Sequence, residues 1–324
     1  MTGTNATEPE AGDQLTLVGD IGATNARLRL ANSSREWVSD LFVLPTARYT
    51  EAAPLLEDAR AHFGGPELAR CVLAVAGPVS SDGSRIEVIN TGLTFTQALT
   101  ELALGVTPTF FNDFYSQALA VPHLRNLVQI GGEDAGDRSR VQTILGPGSG
   151  LGMATLVPTA NDGLIVLPSE GGHGDLAPGS YLEAELWSVL AQTHHHVCWE
   201  TVLCGPGLVN LYEAMSSIWG TKPALHTPEE ILAEGLSADP LCHQTLETFA
   251  GLLGGAAGNL ALTVGARGGV YISGGIAPKL AEMLPTSPLR RRFDERGALS
   301  NYAKAIPLYL VLDEQPGMLG ALYS

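Results

Sequence analysis

The sequence predicts an α/β protein built in two domains, and three observations predict it. Runs with the period-2 alternation of strands alternate with runs of helical spacing along the whole chain. Its 324 residues are more than one ordinary core needs and suit two domains. Two strand–glycine bend–strand units stand about 125 residues apart, so that each half carries one copy of a similar device.

Taken in order, residues 15–19 and 26–31 read as a hairpin, 37–44 as a third strand and 50–62 as a helix. The run CVLAVA at 71–76 is apolar throughout and stops at Gly77-Pro78, as expected of a strand buried on both faces. A strand at 109–111 leads through Asn112-Asp113 into the helical run FYSQALAV. The second hairpin is VQTILGPGSGLGMATLV at 141–157. Near the end, GGVYIS is a strand closed by Gly274-Gly275, with a helix expected to start near Pro278. The Gly/Ala-rich run 249–264 is interrupted by Asn259 and falls short of the roughly 20 apolar residues a membrane span needs. It reads as a buried helix, and no membrane association is expected.

Composition excludes several classes. Hydrophobic residues make up 45% and charged residues 16%, the balance of a well-cored globular protein. Acidic residues outnumber basic ones 34 to 18, a formal charge of -16, which argues against a non-specific nucleic-acid binder. An anionic ligand would have to be held locally, by backbone N–H groups and a metal ion, against that field. The polar, acidic first residues carry no secretory pattern. The four cysteines show no C-x-x-C spacing, so free buried thiols and a cytoplasmic location are expected.

The first bend lies in LVGDIGATNARLRL. Beyond the bend, Arg27 to Leu30 alternate polar and apolar like a strand. A P-loop or dinucleotide fingerprint would have a helix there. Asp20 ends the incoming strand, where a carboxylate suits Mg²⁺ or its water shell better than phosphate. Thr24 and Asn25 offer a hydroxyl, an amide and backbone N–H groups, and such a bend can cradle an anion without a helix. The plain alternative is a hairpin rich in turn-forming residues.

Asn112-Asp113 stands where a strand passes into a helix. Helix capping is the ordinary reading of that dipeptide. In the functional reading Asp113 is a general base on a hydroxyl proton and Asn112 holds a neighbouring hydroxyl. In LPSEGGH, Glu170 and His173 flank two glycines, and Glu200 precedes VLCGPGLVNLYEAM. A carboxylate and an imidazole offer the mixed acceptors and donors that a polyhydroxy ligand needs. His194-His195-His196 is expected to be a solvated helix end, since adjacent helical residues diverge too far to share one ion. Arg290-Arg291-Arg292 is expected to be a solvated basic patch.

Together VGDIGATNARL, FFNDFYSQALAVP, LGPGSGLGMA, LPSEGGHGDLAP, VLCGPGLVNLYEAM, GGVYISGGIAPKL and IPLYLVLDEQPGMLGA, in that order and spacing, resemble the bacterial glucokinases of the hexokinase–actin–Hsp70 superfamily that lack a zinc site. The resemblance implies a two-domain ribonuclease H-like (actin/hexokinase) fold with a cleft between domains. It implies a disordered tail at 1–16, a small α/β domain of 17–111 plus about 313–324, and a large α/β domain of 112–312. It further implies ATP- and Mg²⁺-dependent phosphorylation of the glucose 6-hydroxyl with Asp113 as general base, and a homodimer. Asn112, Glu170, His173 and Glu200 would bind sugar hydroxyls. Asp20, Gly22, Ala23, Thr24 and Asn25 would form the first phosphate loop, with Mg²⁺ near Asp20 through water. Gly148, Ser149 and Gly150 would form the second loop, and Gly274-Gly275 would lie beside the nucleoside. The chain departs from the family at Ser149, where Thr is usual, and at Leu93, where Trp is usual. Kinases of another hexose or of glucosamine, and a non-catalytic sugar sensor, are the alternative readings.

Overall fold

The computed structural model describes residues 14–89, 91–132, 137–161, 163–237 and 239–324. The first stretch runs β1 (Leu15–Ile21), β2 (Asn25–Ala31), β3 (Phe42–Pro45), α1 (Ala52–His62), β4 (Leu68–Val75), β5 (Arg85–Glu87), β6 (Thr94–Thr96), α2 (Gln97–Leu104), β7 (Pro108–Asn112) and α3 (Asp113–Ala120). The second runs β8 (Leu127–Gln129), β9 (Gln142–Pro147), β10 (Leu151–Pro158), β11 (Leu164–Ser169), α4 (Tyr181–Leu190), α5 (Gly205–Ile218), α6 (Pro228–Ser237), α7 (Pro240–Val264), β12 (Gly269–Ile272), α8 (Leu289–Asp294), α9 (Ser300–Ala305) and β13 (Leu308–Val311). The chain then ends in α10 (Pro316–Leu322). Of the described residues, those up to Leu124 together with Glu314–Ser324 form one compact unit, and those of Arg125–Asp313 form the other.

The first unit holds a five-stranded sheet in the order β3-β2-β1-β4-β7. Its first three strands are antiparallel, and β1, β4 and β7 are parallel. Alternate residues of β4 face opposite layers. Leu73 and Val75 pack with Leu55 and Leu56 of α1, while Val72 and Ala74 pack with Met318 and Ala321 of α10. Burial on both faces explains why this strand is apolar without alternation. A glycine in α10, Gly320, permits its close approach to α3. At Gly320 a Cβ would overlap the carbonyl oxygen of Ser116, and the Ser116 hydroxyl donates to the Gly317 carbonyl at 2.7 Å.

The second unit repeats the plan. Its sheet runs β11-β10-β9-β12-β13-β8, again an antiparallel meander (β9 to β11) beside parallel strands (β9, β12, β13), with β8 added antiparallel at the far edge. The β1–β2 and β9–β10 hairpins therefore occupy equivalent places in two sheets of like order. The core is organised on α7, the expected buried helix, whose Gly254 has no room for a Cβ beside the Leu289 carbonyl of α8. Among the described residues no helix is long and apolar enough to cross a membrane.

Several expectations need correction. Helix α3 belongs with the first unit, because α10 and Gly77 hold it there, so the division falls after Leu124 and not after residue 111. Leu15 and Thr16, expected in the tail, pair with β4 and β2; residues 1–13 of that tail lie outside the described residues. The third strand is only Phe42–Pro45, Trp37 making a single bridge to Ala31. The helix expected at Pro278 is a four-residue 3-10 turn, Ala277–Leu280.

The three arginines are not a solvated patch. Arg292 is buried in a two-bond pair with Glu183 at 2.8 and 3.0 Å. Arg290 donates to the carbonyls of Ala303, Lys304 and Ile306 that end α9. Only Arg291 is exposed. Leu93 is likewise a core residue, 1% exposed and packed with Ile86 and Phe95 of the first unit.

Candidate active site

In the first unit the candidate residues gather at the carboxyl ends of the parallel strands, where α/β sheets bind ligands. The register runs Ile21 to Val75 to Asn112, so Asp20 and the Asn112-Asp113 step lie at the same end of the sheet. They are two strand spacings apart, or about 10 Å. The hairpin bend is closed by the Gly22 N–H donating to the Asn25 carbonyl at 2.9 Å. Gly22, Ala23 and Asn25 are half-buried, and Thr24 is exposed at the tip. Thr46, only 1% exposed, braces this bend. Its hydroxyl donates to the Gly22 carbonyl at 2.8 Å and its N–H to the Thr24 carbonyl at 2.9 Å.

Asp20 is half-buried on β1, opposite Arg27 on β2. Burial raises its carboxyl above the ordinary value, and the Arg27 guanidinium offsets this only in part. Its other neighbour is the backbone of α10. A Cβ on Gly317 would stand 3.0 Å from its carboxylate, so glycine at 317 makes the space that Asp20 occupies.

Asn112 is the N-cap of α3, its Oδ1 accepting from the N–H groups of Phe114 and Tyr115 at 2.9 and 3.1 Å. Its Nδ2 donates to the Gly77 carbonyl at 3.0 Å. The capping reading is thus realised. An amide nitrogen carries two hydrogens, so one donor remains beyond the Gly77 bond. Asp113 is the first residue of α3, its carboxylate accepting from the Phe114 N–H at 3.0 Å. Gly77 is fixed by sterics, since a Cβ there would overlap the Glu87 carbonyl oxygen.

In the second unit the glycine bend, the Glu170–His173 turn and Glu200 come together. Gly148 N–H donates to the Gly150 carbonyl at 2.8 Å across the bend, leaving Ser149 exposed at its tip. Glu170 is exposed at the head of a one-turn 3-10 helix, Gly171–His173. Glu200 lies beside that turn, its N–H donating to the Gly172 carbonyl at 2.9 Å. Glu200 Oε1 is 3.8 Å from His173 Nε2, and Oε2 accepts from the Leu151 N–H at 2.7 Å. Gly274, at φ +88, crosses the hairpin so closely that a Cβ would come 2.5 Å from the Pro147 carbonyl oxygen. Gly275 is exposed with open space around it. The segments carrying Gly148–Gly150 and Gly274-Gly275 therefore leave the sheet side by side, from the ends of parallel β9 and β12.

Three supporting residues have roles here that no sequence pattern marks. Thr46, Gly77 and Gly317 each act on residues far away along the chain, Thr46 on the first bend, Gly77 on Asn112 and Gly317 on Asp20. His196 pairs with Asp175 at 2.8 Å on the surface, and no group of three or more metal-binding side chains occurs among the described residues. A hollow of about 580 Å³ near Trp187, His195 and His196 contains none of the candidate residues.

The model of the glucokinase family matches residues 17–324. The chain belongs to the glucokinase family. A glucokinase of Chromobacterium violaceum is 40% identical over 316 residues, spanning 96% of this chain and 89% of that protein. The crystal structure of a glucokinase from an Antarctic psychrotroph superposes with a TM-score of 0.82 at 33% identity, covering 96% of this chain and 98% of that one. A ROK family glucokinase from Streptomyces griseus, solved with glucose and AMPPNP, shares the fold at a TM-score of 0.64 and 16% identity, over 95% of this chain and 98% of that one. The two-domain actin/hexokinase-like fold expected from the motifs is thereby established.

Proposed function

We propose that this chain transfers the γ-phosphoryl group of ATP to the 6-hydroxyl of glucose, with Asp113 as the proton acceptor. The observation that carries the reading is the placement of Asp113. It is the first residue of α3, at the carboxyl end of β7, on a helix capped by Asn112, in a chain of the glucokinase family. The related glucokinases support glucose and ATP as the substrate pair.

Phosphoryl transfer passes through a loose transition state, so positioning and charge neutralisation supply most of the acceleration. Asp113 accepts the proton of the 6-hydroxyl as that oxygen bonds to phosphorus. Asn112 uses its remaining N–H on a neighbouring hydroxyl. Glu170, His173 and Glu200 take the other hydroxyls. The backbone N–H groups of the two bends, other than those of Gly22 and Gly148 that close them, receive the phosphates, and Gly274-Gly275 gives the nucleoside room.

A divalent cation fits the first bend. Asp20 is an acid held above its ordinary pKa by burial, with one guanidinium as partial compensation, which is the electrostatic state a bound cation relieves. Asp20 would hold Mg²⁺ through water, and the ion would neutralise charge on the β- and γ-phosphates. A homodimer and a cytoplasmic location belong to the same proposal, supported by the family resemblance.

The test is a screen of hexoses and glucosamine against ATP, ADP and polyphosphate, following sugar 6-phosphate. Glucose phosphorylation with ATP is the expected result. Turnover only on another sugar would move the specificity and keep the chemistry. Sugar binding without turnover on any donor would overturn the proposal in favour of a sensor.

A further inference from the structure

Resting on that reading, we infer that Glu200 is a positioning residue for the nucleotide phosphates as well as a sugar ligand. One of its carboxylate oxygens is committed to the second bend. Oε2 accepts from the Leu151 N–H at 2.7 Å, the length of a charge-assisted bond. Leu151 is the first residue of β10 and directly follows Gly148–Gly150. Gly150 makes this contact possible, because a Cβ there would stand 2.5 Å from the same oxygen.

The other oxygen, Oε1, faces His173 at 3.8 Å on the sugar side. Leu151 is gripped from that side too, since a Cβ on Gly172 would overlap the Leu151 carbonyl oxygen. Glu200 itself is fixed along its main chain. Its N–H donates to the Gly172 carbonyl at 2.9 Å, and its carbonyl accepts from the Cys204 thiol at 3.1 Å. The Gly205 N–H donates to the Gly148 carbonyl at 2.9 Å, tying the start of α5 to the bend as well. A single carboxylate thus spans the sugar turn and the phosphate bend, both within the second unit. Ordering Glu200 with a sugar on Oε1 orders the Leu151 amide through Oε2. Sugar and nucleotide affinities are coupled through it, reciprocally.

The test measures AMPPNP binding by calorimetry with Mg²⁺, with and without glucose, and glucose binding alone. Losing a charge-assisted bond to the bend predicts AMPPNP binding weaker by about tenfold in Glu200→Ala without glucose. Glu200→Asp keeps the charge but falls one methylene short of Leu151, and is expected to weaken AMPPNP similarly. Glu200→Gln keeps an oxygen for the Leu151 N–H and is expected to restore most of the affinity. The gain in AMPPNP affinity on adding glucose should vanish in the Ala and Asp variants. AMPPNP binding unchanged in folded Ala and Asp variants that have lost glucose binding would overturn the inference and leave the proposed function standing. A wild-type protein that binds no AMPPNP would overturn both.

Discussion

Gly320 in α10 and Ser116 in α3 meet backbone to backbone, so closely that a Cβ on Gly320 would overlap the Ser116 carbonyl oxygen. The Ser116 hydroxyl, buried, closes the same contact by donating to the Gly317 carbonyl at 2.7 Å. One face of α10 therefore sets the position of the helix that begins with Asp113, and Gly317 borders Asp20. The last helix of the chain joins the two acids of the first unit. Gly320→Ala is expected to force these helices apart, and overpacking of this kind costs about 1–3 kcal/mol or more. Urea unfolding measures it. A midpoint equal to that of the parent protein would mean that α10 can shift without strain, and that the contact does not constrain α3.

Asp113→Asn keeps the shape of the side chain and its acceptor for the Phe114 N–H, but cannot take the hydroxyl proton. Turnover is expected to fall by roughly 10²–10⁴ while glucose binding stays within a few-fold. Steady-state kinetics beside direct glucose titration separates the two quantities. Full turnover in the variant would remove Asp113 from the role of base.

The thiols make a prediction about opening. All four cysteines are free and buried. Burial pushes Cys71 and Cys242 up to about 12 and Cys204 up to about 11. With a pKa near 12, only about one thiol in 10⁴ is thiolate at pH 8, and thiolate is the reactive form. Alkylation of Cys71 and Cys242 in the native protein is therefore expected to be far slower than in urea. Mass spectrometry after timed labelling tests this, and rapid native labelling at either position would contradict its burial.

The hairpins, the Asn112 cap and the buried strand at 71–76 were legible because their signals are local. Period-2 alternation on both sides of a glycine bend identifies a hairpin, and a polar residue before a helical run identifies a cap. The supporting contacts have no such signal. Gly77 serves Asn112 through a carbonyl 35 positions away, and a carbonyl is present on every residue. Gly317 matters for what it lacks. The arginine run looked solvated because its partner was invisible: Glu183 stands 109 positions from Arg292 and makes burial of the charge tolerable. Leu93 shows the same limit, since an apolar residue between Gly92 and Thr94 gives no hint whether it faces a pocket or the core. Two like sheets explain why the paired hairpins were the most informative pattern.

Asp20 offers the sharpest conflict between stability and function. Its carboxyl is raised by burial, with the Arg27 guanidinium offsetting part of that effect. The folded state therefore disfavours the ionised form more than the unfolded chain does. Below the ordinary value of 3.8 the group is protonated in both states and no penalty exists. As pH rises from there through the raised folded pKa, the penalty develops, and above it the penalty is complete. Asp20→Asn removes the charge with little change of shape. The variant is expected to melt higher than the parent at pH 7, with the gap closing as pH falls toward 4. Activity is expected to be lost, because the carboxylate that would hold Mg²⁺ is gone. Added Mg²⁺ should raise the melting temperature of the parent and leave that of the variant unchanged. Thermal melts across pH, with and without Mg²⁺, decide the matter. A parent protein more stable than Asp20→Asn at pH 7 without Mg²⁺ would show that Arg27 already compensates the charge, and would remove the electrostatic argument for a cation at this site.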